Sequence, residues 1–184
     1  YGNRGRFASK TISITVQDTT DPTWTPDPTD PPAAFNILLV DLGPDRTIGG
    51  EDNSSHEVSV TSPTLKTGEW VTISIPLSDF VGLSSRAQLG QLVLSGDPNT
   101  VYVDNVYFSN DGSGGGSGGT TTPTESAPTP TADAADVISV FSDAYTNLDG
   151  TNLNPDWGQG TATSEVSVSG NNTLQMLGLD YQGI

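Results

Sequence analysis

Apolar and polar residues alternate along much of this chain, and the alternation predicts β-strands. Thr11–Val16 and Glu57–Thr61 repeat with a period of two, as expected for a strand with one buried face. Glu69–Pro76 has the same period and places Trp70 on the face opposite Ile73. Further strands are predicted at Phe35–Leu42, Gln88–Leu94, Thr100–Phe108, Asp136–Phe141, Glu165–Val168 and Thr173–Leu179.

Turn-forming residues separate these runs at short intervals. Clusters of Gly, Pro, Asp and Asn lie between them, a pattern typical of an antiparallel β-sandwich or barrel. The nearly continuous apolar run Phe35–Leu42 predicts a strand covered on both faces, and Gly170–Asn172 predicts a tight turn. Strand parity places Tyr102 and Tyr107 on opposite faces of their strand.

A glycine- and serine-rich stretch at residues 112–119 is followed by a Thr/Pro tract at residues 120–131. The first stretch has the composition of a flexible coil, and the second favours an extended chain. Neither has enough apolar side chains to offset the entropy that ordering would cost. We therefore predict a flexible linker over residues 111–135, of the kind that joins modules in secreted proteins.

The charge of the chain excludes several classes of partner. Its 184 residues carry 22 Asp and Glu against 6 Lys and Arg, a net charge of -16. Such a chain repels phosphate backbones and anionic membrane surfaces, so we expect no nucleic acid as a partner. No apolar run has the length of a membrane span, so we expect no membrane insertion. The start at Tyr1, without a Met, favours a piece of a longer protein.

Several segments resemble a known family of modules. Gly68–Phe80, Leu89–Gly96 and Val101–Phe108 resemble the C-terminal half of a jelly-roll carbohydrate-binding module, of the kind appended to secreted bacterial polysaccharide hydrolases of the laminarinase and agarase type. Val137–Tyr145, with Trp157, resembles the N-terminal half of the same module. The resemblance assigns residues 23–110 to the C-terminal half and residues 136–184 to the N-terminal half. Residues 1–22 resemble the terminal strands of an extracellular immunoglobulin-like repeat of the hyaline-repeat kind.

The two halves occur in inverted order, which leaves two interpretations of an all-β, antiparallel jelly-roll β-sandwich. Either the chain holds two incomplete modules, or it folds as one permuted sandwich in which residues 136–184 return onto residues 24–110. In the second case Thr11–Val16 supplies a missing strand. We favour the closed sandwich, because an open half-module exposes a long apolar sheet edge.

The residues give little support to catalysis. Glycoside hydrolysis needs two carboxylates at a set separation in a cleft, whereas most acidic residues here lie in turns rich in Gly, Pro and Thr. Zero cysteines and one histidine exclude thiolate catalysis and most His-based sites, and His56 has no nucleophile context. We expect a non-catalytic accessory module, whose parent protein can itself be a glycoside hydrolase.

Calcium is the cofactor that the composition favours, because it takes carboxylate and carbonyl oxygens from irregular loops. The family resemblance implies a structural calcium site between Asp104 and Asp143. A second candidate is the glycine-rich loop that holds Asp41, Asp45 and Asp52. Solvated acidic loops without metal are the alternative at both places.

Carbohydrate binding depends on exposed aromatic rings, on which the C–H faces of sugars stack. Trp157, Trp24 and Trp70 are the largest such surfaces. Trp157 and Trp24 lie in loop-like sequence with Asn, Pro and Asp, whereas Trp70 lies in a predicted strand. Each ring is equally compatible with a place in the core, since Trp is highly buried on average.

Three functions are therefore compared. The first is a secreted carbohydrate-binding module of a multimodular protein, with a polysaccharide such as a β-glucan or another algal or plant glycan as partner. The second is a structural unit of an extracellular adhesin or self-assembling fibre, in which half-modules complete each other between chains by β-strand addition. A hydrolase fragment ranks last. All three place the chain outside the cell or at its surface.

Overall fold

The computed structural model describes residues 10–18, 34–61, 65, 69–110 and 123–184. These residues form ten strands and two short 3₁₀ turns, Leu77–Asp79 and Ala134–Asp136. Over this part of the chain, no helix has the length and hydropathy of a membrane span. The strands are β1 Thr11–Asp18, β2 Phe35–Asp41, β3 Ser54–Val60, β4 Trp70–Pro76, β5 Leu89–Gly96, β6 Thr100–Ser109, β7 Ile138–Phe141, β8 Ala162–Val168, β9 Asn171–Leu177 and β10 Tyr181–Gly183.

The strands form two antiparallel sheets that pack as a jelly-roll-like sandwich. The larger sheet has six strands in the order β4-β1-β6-β9-β8, and β7 also pairs with β6. The smaller sheet has the order β10-β5-β2-β3. The predicted all-β, antiparallel sandwich is confirmed.

Strands from before and after the glycine-rich stretch share both sheets. In the larger sheet β6 pairs with β7 and β9, and in the smaller sheet β5 pairs with β10. The first strand, β1, lies between β4 and β6. The described chain thus folds as a single sandwich that strands from both sides of the glycine-rich stretch build together, and β1 is an inner strand of the larger sheet. The domain boundaries and the likeness of residues 1–22 to an immunoglobulin-like repeat stay predictions.

Alternate side chains of each strand fill the space between the sheets. Ile12, Ile14 and Val16 of β1 point inward and are almost fully buried. They belong to the same core cluster as Phe35 and Ile37 of the smaller sheet. Full burial of one such side chain contributes on the order of 1.5–3 kcal/mol, so the period-two pattern of the sequence carries directly into the stability of the sandwich.

β2 differs from its prediction on one face. Phe35, Ile37 and Leu39 are buried, but the alternate residues Leu38 and Val40 are only half-buried. The continuous apolar run therefore does not lie between two cores. Its second face is partly open to solvent.

A β-bulge in β6 changes the predicted direction of its tyrosines. Asn105 has a left-handed backbone with φ 52°, and the register with β1 shifts at this point. The extra residue reverses strand parity, so that Val103 and Val106 both point into the core. Tyr102 and Tyr107 consequently lie on the same outer face, and the prediction that they face opposite ways is wrong.

Residues 123–132, which comprise most of the Thr/Pro tract and the residue after it, cross the outer face of the larger sheet, and we call them the strap. The indole N–H of Trp70 donates to the carbonyl of Glu125 at 3.0 Å, and Asn105 Nδ2 donates to that of Pro128 at 3.1 Å. Ala127 is buried in a small cluster with Trp70 and Tyr102. This differs from the predicted flexible linker over residues 111–135, because side chains of the sheet hydrogen-bond the strap's backbone carbonyls. Residues 111–122 lie outside the described part.

The hairpin between β8 and β9 also differs in detail. The turn residues are Ser169 and Gly170, with φ of 50° and 85°, as in the mirror-image turns that suit hairpins. Asn171 and Asn172 already belong to β9. The predicted tight turn is present, but it lies earlier in the chain than Gly170–Asn172.

Candidate functional site

On the outer face of the smaller sheet, polar and apolar side chains alternate, and those of β2 and β3 are exposed or half-buried. The register β10-β5-β2-β3 decides which residues share it. Because Ile37 and Leu39 point inward, their sequence neighbours and the residues paired with those neighbours point outward. We call this surface the open face, and its exposed or half-buried residues are Asn36, Leu38, Val40, Ser55, Glu57, Ser59, Gln91, Ser95 and Tyr181. Val93 and Gly183 point the same way but are buried, and Trp157 lies against Gly183.

Two aromatic rings lie at one edge of the open face. Tyr181 belongs to β10, and Trp157 reaches the same strand from the loop between β7 and β8. Their ring centroids are 6.2 Å apart with an interplanar angle of 51°. The rings are 44 % and 42 % exposed, so each presents much of its surface to solvent. Trp157 lies against Gly183, where a methyl group would overlap its ring.

Hydrogen bonds fix the loop that carries Trp157. Gln159 accepts from the backbone N–H of Trp157 at 2.8 Å and donates from Nε2 to the carbonyl of Pro155 at 2.7 Å. Gln182, fully buried beneath this loop, donates to Asn154 Oδ1 at 3.3 Å. The indole is therefore held in place before any ligand arrives, which lowers the ordering cost of binding.

A cleft of about 560 Å³ adjoins the aromatic pair, and we call it the end cleft. Its floor is part of the core, with Leu39, Leu92 and Phe108. Its mouth is formed by the loops after β2 and β7, which contribute the exposed side chains Ile48 and Leu148. The remaining residues that line it are Leu89, Gly90, Gln91, Val140, Asp149, Gly150, Thr151, Asn152, Pro155, Trp157 and Ile184.

This arrangement fits the recognition of a saccharide. Half-exposed aromatic rings can stack on sugar C–H faces, while neighbouring amide and hydroxyl side chains pair with hydroxyl groups. Asn36 already accepts from Ser59 Oγ at 2.5 Å, which orients its amide across the open face. Glu57 is the one acid that register places there among the described residues. The face is thus polar, weakly charged and bordered by aromatic rings.

The other two tryptophans differ from Trp157. Trp70 is only 2 % exposed, because it lies beneath the strap with Tyr102 and Ala127. It therefore presents no free face to a ligand, contrary to the prediction that it contacts carbohydrate. Trp24 lies outside the described residues.

Asp104 and Asp143 do come close, as the resemblance implied. Asp104 is fully buried, and its oxygens accept from the backbone N–H of Asn105 at 2.6 Å and from the side chain of Asn171. Burial raises its pKa from 3.8 to about 6; the two hydrogen bonds lower the pKa, and the charge of Asp143 raises it further. Asp143 accepts from the backbone N–H of Asn172 at 2.8 Å.

These two carboxylates are a partial fit to calcium, which takes 6–8 oxygen ligands. Thr173, fully buried on the neighbouring strand, has a hydroxyl without a partner. However, nowhere in the described segments do three or more acidic or histidine side chains converge as a metal site would require. Asp104 and Asp143 could hold a cation only together with backbone or amide oxygens and water.

The second candidate site separates into two parts. Asp41 is buried, and its oxygens accept from the backbone N–H groups of Gly43 at 3.0 Å and Gln88 at 2.8 Å. This carboxylate therefore ties the end of β2 to the start of β5. Asp45 and Asp52 are exposed and flank Gly50 on the loop.

Several residues of the site carry no recognisable signal in the sequence. Tyr181 and Gln182 belong to a strand of three residues, too short for a periodic signal. Ile48 and Leu148 are isolated apolar residues within polar loops, and only the fold brings them to one cleft. The partial exposure of Leu38 and Val40 could not be predicted, because the continuous apolar run of β2 indicates burial on both faces.

Comparison with known proteins gives one finding. Residues 32–110 match a family model described as carbohydrate binding domain 30. No curated protein and no solved structure gives a significant match to the chain. The matched segment contains β2 to β6, hence most of the open face, and it supports a carbohydrate-binding module. Trp157 and Tyr181 lie beyond it; Tyr181 belongs to β10, which pairs with β5, and Trp157 lies against β10.

Proposed function

We propose that this protein is a non-catalytic module that binds a polysaccharide across its open face, with Trp157 and Tyr181 as the stacking surface. The observation that carries the proposal is the pair of half-exposed rings, 6.2 Å apart, at the edge of a sheet face lined by amide and hydroxyl side chains. The family match to a carbohydrate binding domain supports it independently.

The charge narrows the ligand to neutral polysaccharides. With a net charge of -16, the chain repels polyanions at long range. Glu57 on the open face and Asp149 at the end cleft add local negative charge. We therefore expect neutral glycans, such as β-glucans, to bind in preference to uronate-rich or sulfated ones.

The test is a glycan array followed by calorimetric titration of the polysaccharide that binds best. Trp157→Ala is expected to weaken binding by roughly 10- to 100-fold, because loss of a stacking ring removes about 1.4–2.8 kcal/mol. Val81→Ala is the matched control, since Val81 is an exposed apolar residue that lines neither the open face nor the end cleft. Absence of glycan binding, or equal losses in both variants, would refute the proposal.

Calcium at Asp104 and Asp143 is proposed as a structural cofactor. What supports it is the proximity of the two carboxylates, whose mutual repulsion a cation would relieve. Addition of Ca²⁺ to chelator-treated protein is then expected to raise the Tm by several degrees, and Asp143→Asn to abolish most of that increase. Asp45→Asn serves as the control for the exposed loop. A Tm unaffected by Ca²⁺ would leave these residues as a metal-free hydrogen-bonded pair.

The wider setting is also a proposal. An acidic, cysteine-free chain with a Gly/Ser and Thr/Pro stretch suits a secreted or cell-surface protein with several modules, and the resemblance suggests hydrolases of the laminarinase and agarase type as parents. The adhesin or fibre alternative stays a prediction. No specific contact favours it here, since β5 and β6 obtain their partners β10, β7 and β9 within the same chain.

A further inference from the structure

Exposed apolar side chains concentrate at the end cleft. Among the described residues that are large, apolar and exposed, Ile48, Leu148 and Trp157 all line it, with exposures of 69 %, 42 % and 42 %. Tyr181, in contact with Trp157, continues the same patch. A clustered apolar surface of this kind marks a ligand or partner site more often than scattered residues do.

The inner part of the cleft is too apolar to bind a sugar that has no apolar substituent. Leu39, Leu92 and Phe108 form its floor, and Val140 and Ile184 form its walls. A sugar lowered onto these side chains would lose the water around its hydroxyl groups without gaining hydrogen bonds, and that desolvation is unfavourable. An apolar group placed there gains free energy from the same burial.

The rim carries polar groups beside Ile48 and Leu148. Gln91, Asn152 and Thr151 contribute amide and hydroxyl groups, and Asp149 adds a carboxylate. A ligand that matches both the rim and the floor of the end cleft has a polar, neutral part at the rim and an apolar part inside. The volume of about 560 Å³ lies in the usual range for ligand pockets, and it is far larger than an acetyl or methyl group requires.

We propose that the end cleft binds an aryl group attached to a neutral saccharide, such as an aromatic ester or ether on a polysaccharide, while the sugar itself contacts Trp157 and the rim. This inference rests on the proposed function, because it assigns a substituent to the same ligand. It predicts a preference for aryl-substituted glycans over unsubstituted ones.

The test compares 4-nitrophenyl β-cellobioside with methyl β-cellobioside by calorimetric titration. The aryl glycoside is expected to bind at least about tenfold tighter, in proportion to the apolar area that its ring buries. Leu148→Ser is expected to reduce that advantage by about threefold, and the double variant Ile48→Ser, Leu148→Ser by about tenfold. Neither change should alter binding of the methyl glycoside by more than about twofold.

The matched control is Leu177→Ser, because Leu177 is 43 % exposed, like Leu148, but lies on β9 outside the cleft. Equal affinity for the two glycosides, or equal effects of Leu148→Ser and Leu177→Ser, would overturn the inference. Trp157→Ala, by contrast, should weaken binding of both glycosides.

A sugar-free probe separates this inference from the proposed function. Titration with 4-nitrophenol alone is expected to shift the methyl NMR signals of Ile48 and Leu148 in the wild-type chain. Such shifts, in a protein that binds no glycan of the array, would support an aryl site and refute the saccharide function. Methyl signals that 4-nitrophenol leaves unchanged would refute the aryl site, whatever the array shows.

Discussion

The outer faces of the two sheets carry similar residues, but the aromatic rings are buried on one face and half-exposed on the other. The larger sheet presents Trp70 and Tyr102 with threonines, serines and a glutamine around them, and these two rings are 2 % and 3 % exposed. The smaller sheet is bordered by Trp157 and Tyr181, which are 42 % and 44 % exposed. Composition alone does not separate the two faces.

The strap accounts for the difference. It supplies Trp70 with a carbonyl acceptor and covers Tyr102 with Ala127, while Gln175 Nε2 donates to the Tyr102 hydroxyl at 2.6 Å. The Trp70 N–H and the Tyr102 hydroxyl are thus both paired within the chain, and the two rings belong to a second small core. On the open face the rings keep their surfaces free. A covered aromatic face stabilises the fold, and an open one is available to a ligand.

Truncation of Trp70 should produce the largest effect. Trp70→Ala is expected to lower the free energy of unfolding by about 3–5 kcal/mol, because it removes a buried indole and the ring that anchors the strap. Urea denaturation followed by circular dichroism measures this change.

Trp157→Ala is the matched comparison, since the same substitution on the open face should cost less than about 1 kcal/mol. Similar losses of stability in the two variants would mean that the strap does not distinguish the faces. Retained glycan binding by folded Trp70→Ala protein would further show that the covered face takes no part in recognition.

The fold could be predicted from the sequence because burial on one face leaves a period of two. The alternation of Ile12, Ile14 and Val16 is such a signal, and it placed β1 in the sandwich. The bulge at Asn105 leaves no comparable trace, because one inserted residue reverses parity without changing composition. For this reason strand parity predicts opposite faces for Tyr102 and Tyr107, whereas the structure places both on the outer face.

The strap and the site were harder to predict for a related reason. The strap is fixed largely by backbone carbonyls, such as those of Glu125 and Pro128, which every sequence possesses. Loop composition singled out Trp157, but its partner Tyr181 depends on a long-range pairing between β10 and β5. Such pairings bring distant residues together and are invisible in a local pattern.

The pH dependence of the free energy of unfolding tests the burial of Asp104 on the outer face of the larger sheet. Its folded pKa of about 6 lies above the usual 3.8, so the native state binds more protons than the unfolded state between these values. Stability is therefore expected to fall as pH rises from about 4 to 6, and to stay lower above that. At pH 7 the charged, buried carboxylate costs up to about 3 kcal/mol.

Asp104→Asn should recover most of that free energy at pH 7 in chelator-containing buffer, and should flatten the profile between pH 4 and 6. Denaturation curves at several pH values measure both effects. Asp143→Asn removes only the neighbouring charge, so a smaller gain is expected from it. A stability that rises with pH in this window would contradict the raised pKa, and a destabilised Asp104→Asn in the presence of Ca²⁺ would instead support a cation at this position.

Gly183 offers the finest test of the open face, with a smaller expected loss of glycan affinity than Trp157→Ala. A methyl group there overlaps the Trp157 ring and also approaches Pro155, so Gly183→Ala should displace the indole at a cost of about 1–2 kcal/mol. We expect a changed tryptophan fluorescence spectrum and a loss of glycan affinity of roughly fivefold, because the stacking ring leaves its position. Gly160→Ala is the control, since a methyl at Gly160 meets no atom within 4 Å. An unchanged glycan affinity of the Gly183→Ala variant, with a shifted fluorescence spectrum, would show that binding does not depend on the position of Trp157. That result would contradict the proposal that the glycan binds on the open face.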